Sequence, residues 1–256
     1  MLLAAPLASQ AGDWEYSVTP YLWLPTISMD SSNSNSDDGL VGKIPGVGNG
    51  DIISVDVGPT NYLQALDFGF MIAGEARNDQ IVLKGDLIYL DFSIDDKDID
   101  LVDSGLGLSL PGTYNAELTG VVPTLLAGMN VISSENYHMD VLAGWRRADI
   151  DLSIDRVGIV NTRSIDSSLT YDDFLVAING EYDFSDSNWS MPYYADVGTG
   201  DSDLTWQALI GVDYAYESWK LHLNYRHLDY DFGDVGGIKD LGIVFSGPTI
   251  GAKFEF

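Results

Sequence analysis

Two pairs of residues have the types and spacing to activate water: Asp172 with Asp173, and His227 with Asp229 in the stretch NYRHLDYDF. An Asp pair facing an Asp–His pair can take a proton from water as it attacks a peptide carbonyl, which is general base catalysis. The difficulty is local. Adjacent residues on a strand point to opposite faces, so Asp172 and Asp173 would not act together there. A second candidate is Asp96, Asp98 and Asp100, which begin like a D-x-D-x-D calcium loop. The match then fails, with Leu101 where the loop needs Gly and Gly107 where it needs Glu. GVGNG at Gly46 to Gly50 has no helix after it to present backbone amides to a phosphate. No histidines recur at metal-ligand spacing, and the chain has no Cys, which removes thiolate zinc sites, cysteine nucleophiles and disulfide frameworks together. The expectation is a protein without enzyme activity and without a cofactor.

Those side chains need elements to position them, and the composition constrains what the elements are. Lys and Arg number 12 against 39 Asp and Glu, a formal net charge of −27 over 256 residues. Nucleic acid is excluded as a partner, because counterion release needs clustered bases. Yet 45% of the residues are hydrophobic and the mean hydropathy is +0.02, too apolar for an acidic disordered chain. Charge and apolar surface must therefore be segregated. No run reaches the roughly eighteen apolar residues of a membrane-spanning helix. The opening MLLAAPLASQA reads as the remnant of a secretory signal peptide over residues 1–11, leaving 12–256 as one domain.

From Asp13 onward the hydrophobic period is two. Trp206, Ala208, Ile210, Val212, Tyr214 and Tyr216 share one face, against Gln207, Leu209, Gly211, Asp213 and Ala215 on the other. Trp219, Leu221, Leu223 and Tyr225 alternate in the same way with Lys220, His222, Asn224 and Arg226. Segments of about ten residues with Trp and Tyr near their ends suit tilted strands crossing a bilayer. Breaks at Gly, Asn, Asp and Ser clusters predict strands near 14–28, 63–76, 80–94, 116–131, 137–150, 172–184, 189–198, 204–216, 219–230 and 241–256. Short turns follow the second, fourth, sixth and eighth strands. Long polar excursions, 29–62, 95–115 and 151–171, follow the first, third and fifth. The prediction is an all-β, transmembrane, antiparallel up-and-down barrel of about ten strands, with eight or twelve open because Ile52 to Val57 could add a strand and two weaker candidates could be extensions of hairpins.

Strand parity then assigns the charges. Lys84, Asp86, Arg146, Glu181, Lys220, His222 and Arg226 fall on the lumen side, as candidates for a selectivity lining or for a salt-bridged fill. Further acids assigned inward are Glu15, Asp67, Glu75, Asp140, Asp183, Asp196, Asp213 and Glu255, with Lys253 among the bases. Ten strands enclose little more than eight, whose interior side chains fill, so a filled or very narrow lumen is expected. Most remaining acids fall in the long loops, where they could hold divalent cations and bridge to lipopolysaccharide phosphates. A Ser–His hydrolase would need a lipid-facing serine beside a histidine; parity turns His222 inward, and His138 stands beside a short turn.

TPYLWLP (Thr19 to Pro25), LDFGFMIAGEAR (Leu66 to Arg77), GDLIYLDFS (Gly85 to Ser93), DVLAGWR (Asp140 to Arg146) and the block from Ser202 to Phe256 carry a likeness across nearly the whole chain. On these stretches the chain resembles a family of proteobacterial, porin-like outer-membrane β-barrel proteins with no established activity. The closing Ile250, Ala252, Phe254 and Phe256 are similar to the terminal signal read by the barrel assembly machinery of Gram-negative bacteria. The resemblance implies a bacterial outer-membrane location and contact with lipid and lipopolysaccharide, and it adds no catalytic residue. Function narrows to a narrow cation-preferring pore or a structural, surface-interacting barrel with a salt-bridged lumen. An omptin-like protease or other barrel enzyme is the alternative.

Overall fold

The computed structural model describes residues 14–30, 33–34, 54–64, 66–100, 109–157, 163–234 and 238–256. The predicted signal segment and the GVGNG loop lie outside them. Strands β1 (Glu15–Trp23), β2 (Thr26–Asp30), β3 (Asn33–Ser34) and β4 (Ser54–Val57) precede a single helical turn, α1 (Pro59–Tyr62). There follow β5 (Leu66–Arg77), β6 (Ile81–Asp100), β7 (Ser109–Ser134), β8 (Tyr137–Val157), β9 (Arg163–Asp183), β10 (Trp189–Gly200), β11 (Leu204–Ala215) and β12 (Lys220–Asp231). The last two are β13 (Ile238–Lys239) and β14 (Gly242–Glu255). β1 pairs antiparallel with β5, each of β5 to β11 pairs antiparallel with its successor in the chain, β12 pairs with β14, and β14 returns to β1. The sheet thus closes as a ten-stranded up-and-down barrel.

Closure removes the free edges that a bilayer would leave unbonded. The outer face is apolar throughout its middle: Phe174 is 74% exposed, Leu125 61% and Ile210 57%. Aromatic side chains mark the short-turn end of this belt, where Tyr16 stacks with Phe256, Trp189 meets Tyr214 at 4.8 Å, and Tyr216 stacks with Trp219 at 4.5 Å. On β11 the outward aromatics Trp206 and Tyr214 bracket the belt. Their separation is about 26 Å of strand. At the 35–45° tilt usual for such barrels this rises about 20 Å, close to the apolar band of a membrane barrel. Leu125→Arg is expected to cost about 2–4 kcal/mol, the price of a cation facing lipid near the midplane. Equilibrium folding into lipid vesicles measures it, and a cost near zero would mean that this face does not meet hydrocarbon.

Three departures from the predicted elements have physical causes. The excursions 95–115 and 151–171 are largely strand, because β6 to β9 run past the belt and stay paired, as at Asp98↔Thr113, Asp151↔Ser168 and Asp155↔Ser164. Ladder pairing carries them beyond the lipid-facing belt. The strand read within Ile52 to Val57 exists as β4, but it adds to β2 at the rim and leaves the barrel count at ten.

The third departure is a break in the first strand. Pro25 cannot donate to the ladder. β1 and β2 therefore both bond β14, while β1 bonds β5 only as far as Pro20↔Ile72. Above that point the Trp23 amide donates to Met71 Sδ at 3.2 Å in place of a ladder carbonyl. α1 fills the seam, with the Tyr62 hydroxyl donating to the Pro25 carbonyl at 2.7 Å and its ring edge-on to Phe92.

Candidate functional site: the filled lumen

Inward residues of successive strands stack into layers. Nearest the short turns, Arg77 on β5 donates to both oxygens of Asp140 at 3.0 and 3.2 Å, to Glu75 at 3.2 Å, and to Nε2 of His138 at 2.8 Å. Asp140 also accepts from Asn130 and Asn179, so a wholly buried carboxylate has a full set of donors. Lys84 bridges Glu75 and Asn179 at 3.3 and 2.7 Å. Lys220 lies 3.1 Å from Glu181 and 3.2 Å from Glu255, and Lys253 shares the same two carboxylates.

The middle of the lumen is held by two arginines. Arg226 donates to Tyr21, Asp86 and Gln207 while its guanidinium lies 4.6 Å from the centre of the Trp23 ring. Tyr21 completes the circuit by donating to Asp86 at 2.8 Å. Arg146, 1% exposed, forks onto both oxygens of Asp196 and bonds Thr124 and Thr205, with Tyr194 donating to the same carboxylate. A planar fork onto a carboxylate is the arrangement that best offsets the desolvation of a buried ion pair.

Above these layers the lumen becomes apolar. Trp23, Met71, Ile88, Ala148, Leu228, Tyr230, Phe232 and Leu241 pack as one buried cluster. Phe232 and Leu241 stand at the two ends of the β12–β14 connection, where the Phe232 amide donates to the Leu241 carbonyl and the Leu241 amide to the carbonyl of Gly233, itself at φ +64°. A second apolar layer, Val82, Leu126, Leu142, Leu175 and Ala177 with Tyr194, lies on the β6 to β10 wall. Below the cap, toward the short turns, remains a cavity of about 140 Å3 lined by Tyr21, Glu75, Arg77, Asp86, Asp213 and Arg226 among others.

All seven residues read as lumen candidates line this interior: Lys84, Asp86, Arg146, Glu181, Lys220 and Arg226 in ion pairs, and His222 beside Asp213. Arg77 and His138 were missed because both were placed beside turns, although Arg77 shares the parity of Glu75. The salt-bridged layers fill only part of the lumen, and an apolar cap occupies its long-loop end. Ile250, Ala252, Phe254 and Phe256 share the outward, lipid-side face of the last strand.

The water-activating set does not assemble. Asp173 points inward, 1% exposed, and accepts from the Ser202 amide in the β10–β11 turn. Asp172 points outward and is held by Trp145 at 2.9 Å and Arg147 at 3.4 Å. Next to it, hydrogen bonds from Thr170 and Arg147 hold the Asp149 carboxyl below its usual range. His227 also faces outward, bonded to Ser246 and stacked against Trp206, whose indole donates to Asp229 at 3.1 Å. His227 and Asp173 are thus on opposite sides of the wall. The lipid-facing Ser–His contact sought at His222 occurs instead at His227. Asp96, Asp98 and Asp100 lie on paired β6 and not in a binding loop, and their side chains are outside the described set. Among the described residues, no group of three or more His, Cys, Asp or Glu is placed to hold a metal ion.

No family model and no curated protein matches the chain. Among solved structures it is similar to the outer-membrane protease OmpT of Escherichia coli, at 12% identity and TM-score 0.49, over 96% of this chain and 98% of that one. It is also similar to the translocator domain of the autotransporter NalP of Neisseria meningitidis, at 12% identity and TM-score 0.46, over 97% and 90%. The attachment invasion locus protein Ail of Yersinia pestis matches at 9% identity and TM-score 0.39, over 95% and 99%. These likenesses extend to the fold alone. By strand order and outer face, the architecture is that of a bacterial outer-membrane β-barrel.

Proposed function

We propose that the protein is an outer-membrane barrel with a sealed lumen, which anchors and presents its long-loop end at the cell surface and has no pore or catalytic role. One observation carries this reading. The Arg146–Asp196 and Arg226–Asp86 pairs and the apolar cap occupy successive levels of a ten-stranded cross-section. Small barrels are filled by their own side chains or hold at most one small ligand, and open channels belong to much larger ones. The short turns and both ends of the barrel sheet lie together, an arrangement that in outer-membrane barrels faces the periplasm. β6 to β9 then project outward as a four-stranded extension. Its sequence is rich in Asp, which suits it to divalent cations and, through them, to lipopolysaccharide phosphates.

Opposite faces of the wall hold the groups that proteolysis would require together, and this supports a non-enzymatic reading. Recording in planar bilayers tests the seal. The protein is expected to insert without stepwise current at high load. Stable cation-selective steps would replace the sealed barrel with a narrow pore.

A further inference from the structure

Among the described residues, nine buried side-chain polar atoms have no hydrogen-bond partner, and six belong to four neighbouring residues. They are both carboxylate oxygens of Asp213, Nδ1 of His222, both amide atoms of Asn224 and Oγ1 of Thr249. The strand register explains their proximity. Asp213, His222 and Gly251 form one row across β11, β12 and β14, and Gly211, Asn224 and Thr249 form the next. All six positions point inward, and Asp213, His222 and Thr249 line the cavity.

Leaving this many buried polar groups unsatisfied is costly, and such groups normally have partners. Their concentration at one spot, against near-complete pairing elsewhere in the lumen, marks a place built for an occupant. The two glycines shape it. A Cβ on Gly211 would fall 2.0 Å from the Asn224 amide oxygen, and one on Gly251 would fall 2.8 Å from Tyr21 Cβ.

The charge balance selects the occupant. Arg77, Lys84, Lys220, Arg226 and Lys253 each have a carboxylate at 3.0 to 3.3 Å, and none of those carboxylates is Asp213. Asp213, 1% exposed, has only the imidazole of His222, whose Nδ1 is 2.6 Å from Oδ1 without the alignment of a hydrogen bond. That imidazole offsets the buried carboxylate only when it carries a proton, and no Lys or Arg among the described residues pairs with Asp213. An imidazole nitrogen beside a carboxylate, with an amide and a hydroxyl oxygen nearby, is a donor set for a borderline divalent metal, whereas Ca2+ and Mg2+ favour oxygen alone. We propose that Asp213, His222, Asn224 and Thr249 form a binding site inside the lumen for a divalent transition-metal ion of the Zn2+ type.

The apolar cap closes the long-loop side. The cavity lining continues to Glu75, Arg77, His138 and Lys253 near the short turns, so the ion enters from that end.

The test uses the folded, chelator-treated barrel in detergent, titrated calorimetrically with Zn2+ in excess Ca2+. The Ca2+ occupies the oxygen-only carboxylate sites of the loops. One Zn2+ per chain is expected, with affinity falling at least about tenfold in Asp213→Asn and in His222→Ala. Asp229→Asn, at the outer rim, should leave it unchanged. Absence of binding, or binding unaffected in the double variant, overturns the proposal. Folding of each variant is checked by the mobility difference between boiled and unboiled protein. If a variant fails that check, X-ray absorption at the zinc edge of the wild-type protein decides. A shell with one imidazole nitrogen and oxygen neighbours upholds the site, and oxygen alone or several imidazoles overturns it.

Discussion

Replacing Arg146 with alanine is expected to destabilise the barrel by about 3–5 kcal/mol, the usual cost of leaving one member of a buried ion pair alone. The guanidinium is the partner of both Asp196 oxygens and also bonds Thr124 and Thr205. Its removal leaves the buried Asp196 with Tyr194 as its remaining side-chain donor. Restoring neutrality should recover most of the loss. Arg146→Met combined with Asp196→Leu is expected within about 1 kcal/mol of the parent or above it, because apolar replacement of a whole buried pair is often neutral or stabilising. Urea-induced unfolding from lipid vesicles measures both variants. A cost below about 1 kcal/mol for Arg146→Ala would mean that water reaches Asp196, and the sealed lumen would fall with it.

A second large effect is expected in bilayer recordings. Softening the cap with Trp23→Ser, Phe232→Ser and Leu241→Ser removes the apolar constriction, which excludes ions by dewetting. That variant alone should stay silent, since the Arg226 layer still crosses the lumen beneath it. Adding Arg226→Ala joins the cavity to the long-loop side and leaves Asp86 without its arginine. Brief, small, cation-selective currents are expected from the combined variant only. Current from the cap variant alone would make the cap the whole barrier. Silence from the combined variant would place the barrier at the Arg146 layer.

The barrel itself was legible because lipid imposes a strict alternation. In Trp206 to Tyr216 every second residue must be apolar, and the register confirms that set as the outer face. The same rule failed wherever lipid was absent. Past the belt, Asp95, Asp96, Asp98 and Asp100 crowd β6, and Asp149, Asp151 and Asp155 alternate with Ile150, Leu152 and Ile154 on β8, so the acids made these paired extensions look like loops. Inside the lumen, Trp23, Met71, Ile88 and Phe232 look by composition like belt residues, and only their direction makes them a cap. Lys84, Arg146 and Arg226 were found by parity, but their partners lie far along the chain: Asn179 for Lys84, Asp196 for Arg146, Tyr21 for Arg226. The four residues of the unpaired polar cluster sit on three strands. No spacing rule within one strand could have joined Asp213 to Thr249.

The seam beside Pro25 bears on the mechanics of the wall. A closed hydrogen-bonded cylinder resists squeezing almost equally from every side. This one does not, because between β1 and β5 a sulfur contact and one helical turn replace the upper ladder. Its compliance is therefore directional. A change in the lateral pressure of the surrounding lipid is concentrated on that line, and the side chains just behind it are Trp23 and Met71 of the cap. The membrane is thereby coupled to the least polar part of the interior, through a stretch of wall where the ladder between β1 and β5 is interrupted.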